Sequence, residues 1–353
     1  MFDRAKNILK YILSLGLAAV LLYFSFRGVS WGDFYAGLLS CNWVYVFLSM
    51  VCGLFAFAIR AERWRQILRP IDDSISFRAA FNAINIGNIS NFIFPFLGEV
   101  TRSAVIARNS SELAGASRKE DKARHQASFD RVLGTAILER GWDVLTVMIV
   151  LAILLVFKWQ MFGDFMVTGI WNPLKSALGY KVFLLLALIG AASVGGLWFI
   201  YHTREKYRMC AKIVAKVKGF VQGLATCLKI KRKGLFMFYT LLIWAMYWLE
   251  SVLVTAAMPE TAQLDLADAL FIMLIGSFAS VLPLPGGMGG YHFIIRSAMT
   301  LIYGLGASVG IAYAILAHES QALVMAISGA ASYIHEAIRK PLKAFDETSQ
   351  REA

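Results

Sequence analysis

Long apolar runs alternate with short polar, mostly basic intervals along most of the chain. Runs of about 18 to 25 residues, the length that carries a helix across roughly 30 Å of hydrocarbon, recur at 8–26, 43–59, 132–157, 181–201, 235–257 and 309–334. Two further apolar regions, 77–107 and 266–305, are interrupted by proline and glycine. The pattern predicts six spanning helices and two broken elements, an all-α polytopic membrane protein. Composition agrees: 58% of the residues are hydrophobic and only 16% charged, more apolar surface than a water-soluble core of 353 residues uses. Arg4, Lys6 and Lys10 precede the first run as in a signal peptide. No small-residue cleavage site follows Phe26, so the run reads as a retained anchor.

The net charge of +12 raises the question of nucleic acid, and the placement of the charges answers it. With the N-terminus in the cytoplasm and each unbroken run crossing once, segments 1–10, 60–78, 102–131, 204–233 and 339–351 face inward and hold 29 of the 35 Lys and Arg. The outward segments hold Arg27, Lys158, Lys175 and Lys181, while Arg140 and Arg296 lie inside apolar segments. This asymmetry follows the positive-inside rule and puts both termini in the cytoplasm of a cell's inner membrane. The basic balance therefore reflects topology and contact with anionic lipid head groups, with no nucleic-acid partner expected. Cys41, Cys52, Cys210 and Cys227 form no CxxC pair, so neither a metal cluster nor a disulfide framework is expected.

Topology also constrains the broken regions. Region 77–107 begins and ends among inward charges, and 266–305 starts from the outward acidic stretch Glu260, Asp265 and Asp268. Each is expected to be a re-entrant hairpin, the first entering from the cytoplasm and the second from outside. Two halves follow, about 8–157 and about 181–335, each with two spans, a re-entrant Pro/Gly-broken hairpin and a further span. Together they form a single transmembrane domain, 1–335, made of two inverted-topology repeats, followed by a short cytoplasmic tail at 336–353. The segment "NFIFPFLGEVTRSAVIAR" overlays "ASVLPLPGGMGGYHFIIR", matching Pro95 with Pro283, Gly98 with Gly286 and Arg108 with Arg296. Inverted repeats with interrupted helices at matching positions point to a transporter whose site lies where the breaks meet.

Pro95, Pro283 and Pro285 lack an N–H and disrupt helix continuity. Irregular backbone of this kind survives at membrane depth only where protein or a watered cavity surrounds it. Gly286, Gly287, Gly289 and Gly290 permit positive φ and close approach. Half-helix N-termini after the breaks would offer N–H groups to an anion. A membrane-surface loop or a glycine-mediated helix crossing is the alternative for the Pro-Gly run.

Ionisable residues inside the runs sharpen the choice: Glu139, Arg140 and Asp143 in one, Glu250 in "WAMYWLESVLV", His318 and Glu319 in another. Each costs roughly 2.5 to 3.5 kcal/mol on insertion scales, and such residues usually face a bundle interior. Glu139 and Asp143, i and i+4, share a helix face, while Arg140 and Asp143, at i,i+3, can neutralise one another. Glu99 and Arg102, also i,i+3, can form an ion pair at the cytoplasmic rim. A structural pair for Arg140 and a packing hydrogen bond for His318 stay open as alternatives.

The ordered set "NFIFPFLGEVTR", "LERGWD" and "VLPLPGGMGG" in this context resembles the integral-membrane, flippase-like region of the lysylphosphatidylglycerol synthase/flippase family, over about residues 8–335. The resemblance carries the family pattern onto Asn91, Pro95, Gly98, Glu99, Arg102, Glu139, Arg140, Asp143, Pro283, Pro285, Gly286, Gly287 and Gly289. The family pattern usually has a Glu where this chain has His292. The resemblance implies movement of a phospholipid or polyprenyl-phosphate-type lipid between leaflets, with no cofactor. The short tail "RKPLKAFDETSQREA" leaves no room for the aminoacyl-transferase domain of full-length members, so enzymatic lysyl-lipid synthesis is not expected. Arg102 and Arg140 are the expected phosphate holders, with Glu139, Glu250 and Glu319 setting charge balance or coupling to protons.

Two other readings stay in view: a secondary transporter of a small anionic solute, and an accessory subunit of an envelope-lipid pathway. A homo-oligomer or an envelope-biosynthesis partner is compatible with each. A lipid-modifying enzyme is disfavoured, because no HxxxH pair or Asp-rich metal motif is present. Within 202–234, Ile213, Val217, Phe220, Leu224 and Leu228 recur at helical spacing among ten Lys and Arg, which predicts a basic amphipathic helix on the inner leaflet. The polar stretch 109–129 reads as a solvated, partly helical loop.

Overall fold

The computed structural model describes residues 2–116, 127–172, 230–279 and 282–339, with scattered residues between 173 and 229. The described elements are helical throughout. They are α1 (Phe2–Phe26), α2 (Trp31–Leu39), α3 (Trp43–Leu68), α4 (Phe77–Ile93), α5 (Leu97–Ala116), α6 (Phe129–Phe157) and α7 (Trp159–Asp164). A π-helical turn (Phe165–Trp171) follows, then α8 (Lys233–Ala257), α9 (Leu266–Phe278), a 3-10 turn (Pro285–Gly287), α10 (Gly290–Leu301) and α11 (Ala307–Ile338).

Helices α3, α6, α8 and α11 are each long and apolar enough to cross a membrane, and α1 with α2 makes a fifth candidate bent by 89°. These match five of the six expected spans. The sixth, at 181–201, and the basic segment at 202–234 fall largely outside the described residues, as does the tail from 340 onward. The chain is a multi-pass helical membrane protein.

Hydrogen bonds between segments gather the helix ends into two groups. At one end, the Asn42 N–H donates to Ala257 O (2.7 Å), the Ser30 N–H to Ser308 Oγ (2.9 Å) and Lys158 Nζ to Asp265 (3.2 Å). At the other, Arg339 donates to Asn109 and Glu112 (2.6 Å each), Asn82 donates to Glu336 (2.9 Å), and Ser110 donates to Asp72. The second end collects the basic intervals around Arg65, Arg69, Arg108, Arg131 and Lys231. Two apolar cores divide the bundle lengthwise. One surrounds Trp64, Ile84, Ile106, Val132 and Phe236 near the basic end, and the other surrounds Leu151, Phe162, Phe271, Ile295 and Tyr313.

The first broken region is an α4–α5 hairpin that starts and finishes at the basic end. Pro95 stops it, with Phe94 extended (φ −129°, ψ 121°) and Phe96 at φ +64°, as the restricted residue before a proline favours. Asn91 repairs the break: its Oδ1 accepts from the Gly98 N–H at 2.6 Å and so satisfies one of the free amides at the start of α5. The second region, α9–α10, starts and finishes at the opposite end. There Asp265 and Asp268 form a reciprocal cap. The Asp265 carboxyl lies below the ordinary range because it accepts from the Asp268 amide, opposed by desolvation and helped by Lys158.

This second break holds Gly286 at φ +59° and Gly289 at φ +80°, conformations that cost other residues free energy. Its exposed carbonyls find partners: the Ser14 hydroxyl donates to Pro283 O, and His318 Nε2 lies 2.9 Å from Gly286 O. Arg296, inside the same apolar region, donates to Phe24 O (2.9 Å) and Arg27 O (2.8 Å), which closes the C-terminal end of α1. The two breaks meet. A side chain at Gly286 would come within 2.6 Å of the Phe92 ring, and one at Gly289 within 2.5 Å of Ala18 O.

Candidate functional site

The charges of α3, α5 and α6 converge beside the first break. Glu139, about three turns into α6 and wholly buried, accepts from Arg60 Nε (2.9 Å) and Arg63 Nη2 (3.0 Å) on one oxygen and from Arg102 on the other. Asp143 accepts from Arg60 (3.0 Å) and Arg63 (2.7 Å). Glu139 and Asp143 therefore do share a face. Arg102 also donates to Ala136 O (3.0 Å), and its guanidinium stacks over Trp64 at 4.6 Å. Trp64 is fixed in turn by its Nε1–H to Thr135 (3.1 Å).

Two expected pairings are corrected. Arg140 does not neutralise Asp143; it donates to Glu99 Oε1 at 2.6 Å. Glu99 and Arg102 do not pair with each other: successive residues on α6, Glu139 and Arg140, claim them across the helix boundary. A helix that places residues 139 and 143 on one face turns residue 140 by about 100° away from 139, toward the start of α5. Arg60 and Arg63 are the residues that the sequence reading missed. The sequence pattern assigns them to the inward-facing segment 60–78, but α3 continues unbroken to Leu68 and buries both. Their i,i+3 spacing just beyond an apolar run was the available signal.

Four guanidinium groups thus face three carboxylates, Glu99, Glu139 and Asp143. One positive charge is uncompensated among the described residues. Arg60, Arg63 and Arg102 are buried, Arg63 with its Nε lacking a partner among the described residues, whereas the Arg140 side chain is 41% exposed and only its Nε is engaged in this network. Arg60, Gly87, Asn88, Asn91, Gly98, Glu99, Arg102 and Arg140 line one cleft, so narrow that no water-sized sphere fits within it.

A second feature borders the cleft. Helix α4 carries Asn82, Asn85, Asn88 and Asn91, an amide every third residue. Asn82 reaches Glu336 and Asn91 bridges the break, but both polar atoms of Asn85 and the Nδ2 of Asn88 are buried without a partner among the described residues. Only Asn91 of this stripe was singled out from sequence. Glu250, on α8, likewise keeps a buried Oε1 without a partner.

The second break gathers a different set. His318 Nδ1 lies 2.9 Å and His292 Nε2 3.5 Å from the same oxygen of Glu319. Pro283, Pro285, Gly286, Gly287 and Gly289 shape the turn above them. The candidate residues therefore fall into two clusters, one at each break, joined by the Phe92–Gly286 contact, with Glu250 apart from both.

Compared with known families, residues 11–329 match the lysylphosphatidylglycerol synthase TM region. The chain belongs to this family. No curated protein and no solved structure matches it. The family match spans both breaks and every candidate residue named above, and a lipid-related role in a membrane is compatible with it.

Proposed function

We propose that this member of the family moves an anionic lipid, a phospholipid or polyprenyl phosphate, between leaflets, with no bond made or broken in the lipid. The observation that carries the reading is the net positive charge of the Arg60, Arg63, Arg102 and Arg140 cluster beside Asn85 and Asn88, whose buried amides keep atoms without a partner among the described residues. Buried charges and amides without partners are costly in a membrane. A lipid phosphate supplies negative charge for the first and acceptor oxygens for the amide N–H groups. Arg140 is the first point of contact, because its terminal nitrogens are uncommitted. Arg102 and Glu139 act as the frame that holds Arg140 and Glu99 in place, and the Asn85–Asn88–Asn91 stripe continues the polar path along α4.

The cleft is closed in this conformation, so passage requires α4 and α5 to part. On this reading the two halves are inverted repeats, supported by hairpins that open toward opposite ends of the bundle. The basic end faces the cytoplasm of the inner membrane, supported by its Lys and Arg excess.

Reconstitution tests it. In proteoliposomes holding fluorescent phosphatidylglycerol, the inner-leaflet probe should lose its protection from an externally added impermeant quencher faster than in empty vesicles. Arg140→Gln should slow exchange by about tenfold, the worth of one charge-assisted hydrogen bond of roughly 1.4 kcal/mol. Exchange no faster than in empty vesicles for both phospholipid and polyprenyl phosphate would overturn the proposal.

A further inference from the structure

We propose that His292, His318 and Glu319 form a binding site for one divalent transition-metal ion of the zinc class. His318 is held against the glycine turn. Its Nε2 lies 2.9 Å from the Gly286 carbonyl, which can only accept, so the ring proton sits on Nε2 and Nδ1 presents a lone pair. That lone pair faces Glu319 Oε1 at 2.9 Å. Two acceptors at this distance repel unless a cation stands between them.

A proton on Nδ1 would serve that pair but not the third group. His292 is 2% exposed; its Nε2 points at the same Glu319 oxygen from 3.5 Å, beyond a good hydrogen bond, and its Nδ1 has no partner among the described residues. Three donor atoms, one from each residue, lie within 4.8 Å of one another. Ligands bound tetrahedrally at about 2.0 to 2.1 Å stand roughly 3.3 Å apart, and the separations of Glu319 from the two imidazoles, 2.9 and 3.5 Å, bracket that value. The ligand set, two imidazoles and a carboxylate, suits zinc. The His318 Nε2–H bonded to a backbone carbonyl is the supporting contact that orients such a ligand. Glu319 is 44% exposed, which leaves the fourth position accessible.

Such an ion would join the start of α10 to the middle of α11 and, through His318, to the glycine turn between α9 and α10. It would hold the second break in one shape. This inference stands apart from lipid transport and is tested without it.

The full chain, carrying a histidine-free affinity tag and stripped with a chelator in detergent, is titrated with zinc chloride by calorimetry and with cobalt(II) by visible absorption. The expected result is one equivalent per chain with tetrahedral cobalt bands, and a thermal midpoint raised by zinc. His318→Ala and His292→Asn should each weaken binding by at least about tenfold and abolish the zinc-dependent rise, while His335→Ala keeps both. If His318→Ala fails to fold, His292→Asn and Glu319→Gln carry the test. Absence of stoichiometric binding, or binding that none of these substitutions weakens, would overturn the site and leave a proton on His318 as the shared cation.

Discussion

Glu139 holds three guanidinium groups at once, and that makes it the most consequential single residue of the first cluster. Removing one member of a buried ion network leaves its partners charged and unpaired, at a cost of about 3 to 5 kcal/mol. Glu139→Gln is accordingly expected to lower the unfolding free energy in detergent by that amount. Arg140→Gln, at a half-open position, should change it by less than about 1 kcal/mol. Denaturant titration of the two variants side by side checks the contrast; equal losses would mean that Arg140 is part of the frame.

This contrast was only half legible in the sequence. The depth of Glu139, Arg140 and Asp143 followed from the apolar run around them, and the shared face of Glu139 and Asp143 from helical spacing. Partners did not follow, because i,i+3 neighbours on one helix compete with residues of other helices, and nothing local says which wins. Arg60 and Arg63 were lost for a related reason: charge density made a helix end look like a loop.

At the scale of elements, the two breaks show how proline and glycine are accommodated in a bundle. Proline lies in each break, and a side chain takes up a freed backbone group: Asn91 at the first break, Ser14 and His318 at the second. Gly289 combines φ +80° with a neighbouring backbone carbonyl of α1, which cannot move aside as a side chain would. Gly289→Ala therefore combines strain of about 1 to 3 kcal/mol with a clash, and should lower the thermal midpoint in detergent. Gly141→Ala, where a Cβ meets nothing, is the control expected to leave it unchanged or raise it. The positions of both breaks were readable from Pro95, Pro283 and the glycines. What fills them was not, since Ser14 and His318 lie 269 and 32 residues away from the carbonyls they serve.

For the whole molecule, the hydropathy pattern located every described span, because length and apolarity alone decide membrane crossing. Arg60, Arg63 and Arg102 are buried and so leave the count of solvated charges on which the expected orientation rests. Orientation can be checked at two exposed carboxylates of opposite ends, Asp33 and Asp73. With Cys41, Cys52, Cys210 and Cys227 replaced by alanine, Asp33→Cys should react with a membrane-impermeant maleimide in intact cells. Asp73→Cys should react only after permeabilisation; the reverse pattern would invert the topology.

The uncompensated guanidinium beside Glu99 also has an electrical meaning. It is anchored in the helices and stays behind, so it offsets the burial of an anionic head group without cancelling the charge that travels. On the proposed function, a lipid phosphate carried along this path takes its own charge through the membrane field. Across a potential of 100 mV, each elementary charge is worth about 2.3 kcal/mol. An interior-negative cell would thus push anionic lipid outward along this path, using the resting voltage as its source of drive.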